Sequence, residues 1–599
     1  MAERKKQMSR DKISRLVNWG HWFAFFNGFL AMLIGVRYIR SVGGPDSIIE
    51  WVYISISTIG HFTFLAFIVY LVFIFPITLL LPYSKILRGY TAVVASIGLY
   101  ALLFDTLIYD DYGIHLSPFA FDLAWQDLGT LLHSTSYISV PIAILVLELT
   151  AANFLWKRIE KLQKKQWGNK VVVFVGICFF SSHLLHIWAD AANVNDIIRF
   201  DDVYPVSYPA TAKSFMANHG INSNEEDTVG VTRSHTNSQL AYPIKPLQCD
   251  VDTQPNNVLM VVIDSLRADM VTPKTMPFLS QYQNNNTHFT DHYTGGTQYQ
   301  TSLFSLLYGL QSSYIDRADF NHTEPVLTSL LREKNYQNHM FTSSENQQLL
   351  LGSGMLNGFS VSALSTQNGS AETDILINKS FSQWHKQQTQ PWFALVNFSA
   401  PRDFDTPVGF LGIETVQPPV RLKPAQKVLF NQYRQSLYFI DQQLKQLLSQ
   451  VSTQTTVVIT GTHGQVFSSD TYVVRRDFSP ANVKVPLIIH EDGLAKKKIT
   501  YRTSHYGVVP TLLSHTFNCS NPLTDYSSGR TLFQPNDEQW VYIGNSRVFA
   551  IYQASEATVL DRHGNYQIYN LAFDTKLKKK ISAPELIQVM REGRRLYNN

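Results

Sequence analysis

The chain has 599 residues, 45% of them hydrophobic and 13% aromatic, with a formal net charge of +4. That length implies more than one domain, and so small a charge argues against nucleic acid as a partner. Three cysteines, Cys178, Cys249 and Cys519, with no CxxC spacing, exclude a disulfide-built scaffold and a zinc finger.

Five long apolar runs come first, at about 17–37, 51–81, 90–109, 131–155 and 170–190. Each is near or above the roughly 20 residues that cross hydrocarbon as a helix. The first does not read as a cleavable signal peptide, because further runs follow it. Residues 1–190 are therefore expected to form an α-helical bundle of five transmembrane spans. Basic residues cluster at the N-terminus (Arg4, Lys5, Lys6, Arg10, Lys12, Arg15), at Lys85 and Arg88, and from Lys157 to Lys170, while 110–130 has none. Basic loops stay on the cytoplasmic side. The N-terminus is thus expected inside, and everything after the fifth span in the periplasm of a bacterial inner membrane.

Polar side chains inside these runs are costly and point to function. They include His61, Asp105, Glu148, His183 and His186. Taken singly, each reads as a helix-to-helix hydrogen bond. Taken together, all but Glu148 fall in the outer half, where a polar pocket open to the outer leaflet is expected.

Residues 191–255 read as a periplasmic linker with a membrane-surface helix near 210–216. Arg199, Tyr204, Tyr208, Lys213 and Phe215 are placed to meet an anionic lipid headgroup there.

Residues 256–599 read as a second, α/β domain with 521–599 as a C-terminal sub-region. Val258–Ile263 is an unbroken apolar run ending on Asp264. Such a run is a strand buried on both faces, and α/β sheets place chemistry at carboxyl ends of strands. Further strands are expected near 339–342, 392–398, 456–460 and 486–490, with helices at 326–334 and 427–451. The sub-region carries strand-like runs at 540–543, 549–552 and 566–569, then a helix around 584–597. Its basic run, Lys576, Lys578, Lys579 and Lys580, reads as a solvated face or a membrane-surface contact. Cys249 and Cys519 are left either free or bonded.

Ile263-Asp264-Ser265-Leu266-Arg267-Ala268-Asp269, Thr462-His463-Gly464 and His505-Tyr506-Gly507 with Pro510-Thr511 resemble the alkaline phosphatase/sulfatase superfamily in order and spacing. The resemblance implies a mainly parallel central sheet and a metal-assisted nucleophile. Aligned on Leu306-Leu307-Tyr308-Gly309, it puts Tyr299 at the nucleophile position, with Thr297 and Thr301 nearby. A phenol of ordinary pKa about 10 is a poor replacement for a small hydroxyl. Thr462 stands where the superfamily has a carboxylate, and hard cations need anionic oxygens. What remains for a metal is Asp264, His463 and His505. They imply either no cofactor or a weakly held Mg²⁺, Mn²⁺ or Zn²⁺.

Five spans, a junction and this domain, with Trp188-Ala189-Asp190-Ala191 and Tyr208-Pro209-Ala210-Thr211-Ala212, resemble the YejM (PbgA) family. That implies an inner-membrane sensor of lipopolysaccharide whose partners are that lipid and a LapB-type adaptor, acting through the FtsH protease. The competing expectation is an active metal-dependent phosphatase or a phosphoglycerol or phosphoethanolamine transferase on lipid headgroups.

Overall fold

A computed structural model describes every residue except 1, 42–44, 46, 82, 113–114, 118–119, 122–124, 126–135, 166, 193–196, 198–199, 201–202, 208–239, 251–256, 316–322, 419–421, 468–477, 536–539, 546–547, 562–564, 582, 594 and 597–599. The chain divides into two compact units, Met1–Asn237 with Ala583–Ile587, and Ser238–Ser582 with Gln588–Asn599.

The first unit is helical. Lys12–Ile39, Ile48–Leu80, Ser84–Asp110, Ser139–Lys164 and Trp167–Asp190 are long and apolar enough to cross a membrane. The second of these is interrupted by a π-helical stretch, Tyr70–Ile74, before Phe75–Leu80. Pro76 lies in the first turn of that last piece, where its missing N–H leaves no helical bond unmade. Small residues let the helices approach. A Cβ on Gly60 would lie 2.7 Å from the backbone of Phe179 on the fifth span, and one on Gly35 would run into the Phe62 ring.

The second unit is built on an eight-stranded sheet. Its strands are β1 (Val258–Ile263), β2 (Thr287–Phe289), β4 (Gln337–Ser343), β5 (Ser360–Leu364), β6 (Trp392–Phe398), β7 (Thr456–Gly461), β8 (Leu487–His490) and β9 (Lys498–Ile499), in the order β5-β4-β6-β1-β7-β8-β2-β9. The two-residue strands β3 (His292–Tyr293) and β10 (Thr503–Ser504) pair separately. β1 lies at the centre, parallel to β6 and β7, with Ile263 level with Phe398 and Gly461. Among the described strands of this sheet only β8 runs against its neighbours, antiparallel to both β7 and β2. All six residues of β1 are buried, which is why it reads as a continuous apolar run rather than an alternating one. Helix Pro424–Leu448 covers the sheet with Phe430, Tyr433, Leu437, Ile440, Leu444 and Leu447.

A five-stranded antiparallel meander, Val541–Gly544, Val548–Tyr552, Glu556–Asp561, Tyr566–Asn570 and Lys576–Leu577, forms the C-terminal sub-region. The last helix spans Ala583–Glu592, shorter than the 584–597 expected. Cys249 and Cys519 are bonded to each other.

Candidate functional site

Register sets the site. Because β1, β6 and β7 end level, the residues that follow them converge: Asp264, Ser399 to Asp403, and Thr462 with His463. Asp264 is fully buried. Its Oδ1 accepts a 2.6 Å hydrogen bond from the Thr462 hydroxyl, with His463 Nε2 3.6 Å away. Its Oδ2 has no hydrogen-bond partner among the described residues, and the Arg402 guanidinium stands 4.0 Å from it. Arg402 is itself held by Asn346 (2.8 Å), Glu345 (2.6 Å) and Asp403 (3.0 Å). Burial alone would lower its pKa, but these carboxylates and Asp264 outweigh that and raise it.

Ser265 is in the left-handed region at φ 59°, a conformation that costs a non-glycine residue about 1–2 kcal/mol. Tyr433 holds it there by donating a 2.6 Å hydrogen bond to its carbonyl. The Ser265 hydroxyl is buried without a hydrogen-bond partner among the described residues. Backbone strain beside a buried, part-satisfied carboxylate is the pattern of a functional site.

Tyr299 opens helix Tyr299–Tyr308, and its ring is buried. Its hydroxyl lies 3.3 Å from Asn397 Oδ1, which also accepts from Thr342 (3.2 Å) and Asn346 (2.6 Å). Burial first, and then the Asp264 charge, raise the phenol well above its ordinary pKa. Thr301 turns its hydroxyl back onto Gln298 O at 3.1 Å, as a helix-end residue does. Thr297 is half-buried.

His505, expected as a third metal ligand, makes its hydrogen bonds to threonines. It is committed elsewhere: Nε2 to Thr460 Oγ1 at 3.3 Å, Nδ1 to Thr294 Oγ1 at 3.5 Å, with its ring 5.3 Å from His292. Among the described residues no three His, Cys, Asp or Glu side chains are grouped as metal ligands are. The divalent cation implied by the superfamily does not fit the described donors, which are one carboxylate, one imidazole standing off it, and a resident guanidinium.

Sequence reasoning missed Arg402, Asn397 and Asn346. A signal existed for Arg402, which follows the buried run Trp392–Phe398 within four residues.

In the membrane unit, the polar side chains turn inward. Asp105 accepts from Tyr38 (2.5 Å), faces His115 Nδ1 (2.8 Å) and bonds the Leu116 amide. Glu148 accepts from Asn27 at 3.1 Å. His61 Nε2 lies 2.9 Å from Pro205 O, and His183 Nδ1 2.9 Å from Phe179 O in its own helix. His186 is buried. The Asp105 and Glu148 bonds join different helices, whereas the His183 bond stays within its own. Tyr204, expected at the headgroup boundary, is instead buried among Thr58, His61 and Phe62. Its ring gains more from that aromatic packing than from the interface. Arg199, Tyr208, Lys213 and Phe215 lie outside the described residues.

Comparison with known proteins agrees with this architecture. A model described as a domain of unknown function (DUF3413) matches residues 5–249, and one described as Sulfatase matches 256–518. Inner membrane protein YejM of Salmonella typhimurium is 28% identical over 99% of both chains, and so is that of Salmonella typhi. Over its whole length the chain resembles the YejM family. An uncharacterized protein of Haemophilus influenzae is 29% identical over 94% of this chain and 93% of its own. The chain is a membrane protein whose second domain has the alkaline phosphatase/sulfatase fold. Among solved structures, a phosphonate monoester hydrolase of Agrobacterium radiobacter is 17% identical with a TM-score of 0.45, covering 53% of this chain and 90% of that one.

Proposed function

We propose that this chain is an inner-membrane sensor of lipopolysaccharide, or of another anionic lipid of the outer leaflet. Its hydrolase-type domain has lost its chemistry and serves as a scaffold. It reports to a LapB-type adaptor that controls outer-membrane lipid supply. The observation carrying the second half of that reading is the Thr462–Asp264 hydrogen bond. A neutral hydroxyl sits where a second carboxylate would have to gather a cation. Tyr299 supports it too, since a buried phenol with a raised pKa is slow to become a nucleophile.

The second domain lies in the periplasm and the N-terminus in the cytoplasm. The Cys249–Cys519 bond supports this, because such bonds persist in oxidising compartments. The five spans among the described residues, an odd number, then put the two ends on opposite sides.

Lipopolysaccharide retained by the purified full-length protein tests the reading. Arg199→Glu with Lys213→Glu is expected to lower retention severalfold. Unchanged retention counts against the lipid site. A metal-dependent phosphatase or headgroup transferase is the second reading. It is favoured by the buried Asp264 Oδ2, which has no hydrogen-bond partner among the described residues.

A further inference from the structure

The first three spans enclose a slot. Its volume is about 80 Å³, and its walls come from the stretch Phe23 to Ala31 of the first span, Leu65 to Ile74 of the second and Ala95 to Leu102 of the third. That is several times the roughly 10–15 Å³ one water needs. At 1.5 Å of rise per residue the walls are about 10–14 Å long, so the slot is shaped for a chain rather than a ring. Small residues keep it open: Ala24, Ala31, Ala66, Ala95 and Gly98. Gly98 is exposed, with nothing within 4 Å of a Cβ there, so the slot opens sideways at that residue. The π-helical stretch Tyr70–Ile74 supplies two wall residues, and such stretches recur at functional sites.

One wall residue is polar and incompletely satisfied. Asn27 is 8% exposed. Its Nδ2 donates to Phe23 O at 3.1 Å and to Oε2 of the fully buried Glu148 at 3.1 Å. Two acceptors around one atom settle which end of the amide is the nitrogen. Both amide hydrogens are thereby spent, and the carbonyl oxygen is what remains for the slot. That oxygen has no hydrogen-bond partner among the described residues. An amide carbonyl held in hydrocarbon without a donor is costly. Water answers it poorly, because a buried water needs roughly 2–4 polar partners. Among the described wall residues Asn27 is the polar side chain turned to the slot. The Tyr70 ring rests on Gly20, where a Cβ would collide with it, and its hydroxyl is directed at Val17 O, 3.5 Å away.

Depth selects the occupant. Asn27 lies about midway along Lys12–Ile39, and Gly98 about midway along Ser84–Asp110. Each is roughly 18–23 Å from either end of its span. A phospholipid keeps its headgroup and ester oxygens at the membrane surface, and its acyl chain carries no donor. The group that meets Asn27 is therefore a neutral hydroxyl brought down on an apolar chain. We propose that this slot binds a medium-chain aliphatic alcohol. Its hydroxyl donates to Asn27 Oδ1, and its chain lies along the small residues of the three spans. The site stands whether or not the protein senses lipopolysaccharide.

The test uses full-length protein in vesicles of phosphatidylethanolamine and phosphatidylglycerol. The probe is octan-1-ol carrying a diazirine on its chain, and the comparison is its methyl ether, which keeps the chain and loses the donor. Mass spectrometry maps the adducts after photolysis. The alcohol should label the slot peptides about fivefold more than the ether, as one neutral hydrogen bond allows. Asn27→Leu should erase that difference and leave labelling by the ether unchanged. Gly98→Leu, which leaves the Asn27–Glu148 bond intact, should lower labelling by both probes and guards against a folding fault in the first variant. Equal labelling by alcohol and ether overturns the proposal, because an ordinary acyl chain then fills the slot. So does labelling by the alcohol that neither variant alters, because the probe then sits elsewhere.

Discussion

Thr462 donates a 2.6 Å hydrogen bond to Oδ1 of the buried Asp264, so two adjacent strand ends share a single negative charge. Thr462→Val removes that donor from a buried carboxylate and should cost about 1.5–3 kcal/mol of stability. Thr462→Asp instead sets two carboxylates together. That variant should unfold more easily without metal and be stabilised by Mn²⁺, while the natural chain is not. Thermal unfolding with and without Mn²⁺ reads both.

Acid should weaken the second domain through its buried histidines. Burial holds His505 at about 4, and burial together with the His505 charge holds His292 well below 6.5. Both folded values lie below the unfolded one, so their stabilisation is present above pH 6.5 and is lost as pH falls toward 4. The slope is at most about 1.4 kcal/mol per pH unit for each histidine. Denaturant midpoints at pH 7.5 and pH 5 should differ, and His505→Gln should flatten the difference.

The cross-link Cys249–Cys519 closes a separation of 270 residues. In the chain-entropy account a loop of that size contributes roughly 5 kcal/mol. Replacing both cysteines with serine should lower the denaturant midpoint of the second domain and leave the helical unit unaffected. Separate probes in the two units measure it.

Gly60→Leu should separate the second and fifth spans, because its Cβ would strike the Phe179 backbone at 2.7 Å. Gly98→Ala is the control, since nothing lies within 4 Å of a Cβ there. Loss of thermal stability in detergent for the first, and little change for the second, is the expected pair.

Five spans were legible because apolar length alone decides them, and β1, β6 and β7 because strands buried on both faces read as apolar runs. β2 was not, because Thr287–Phe289 is too short to show a period. Helix Ser370–His385 was hidden for another reason: its buried face includes Asp374 and Asn378, which break the apolar stripe. Asp374 accepts from the Ser399 and Ala400 amides, so a polar residue fills a core position. The cleft was half legible. Asp264 and His463 follow strands and could be read in order, but His505 could not be placed, because motif order does not say which neighbour an imidazole turns to. Arg402 enters the site only through the level ends of β1 and β6.

Hydrolysis of an aryl phosphate ester by the purified full-length protein, with added Mg²⁺, Mn²⁺ or Zn²⁺, puts the central claim at most direct risk. The account predicts the same background rate for the natural chain and for Asp264→Ala. Metal-dependent turnover in the natural chain that Asp264→Ala abolishes would contradict it.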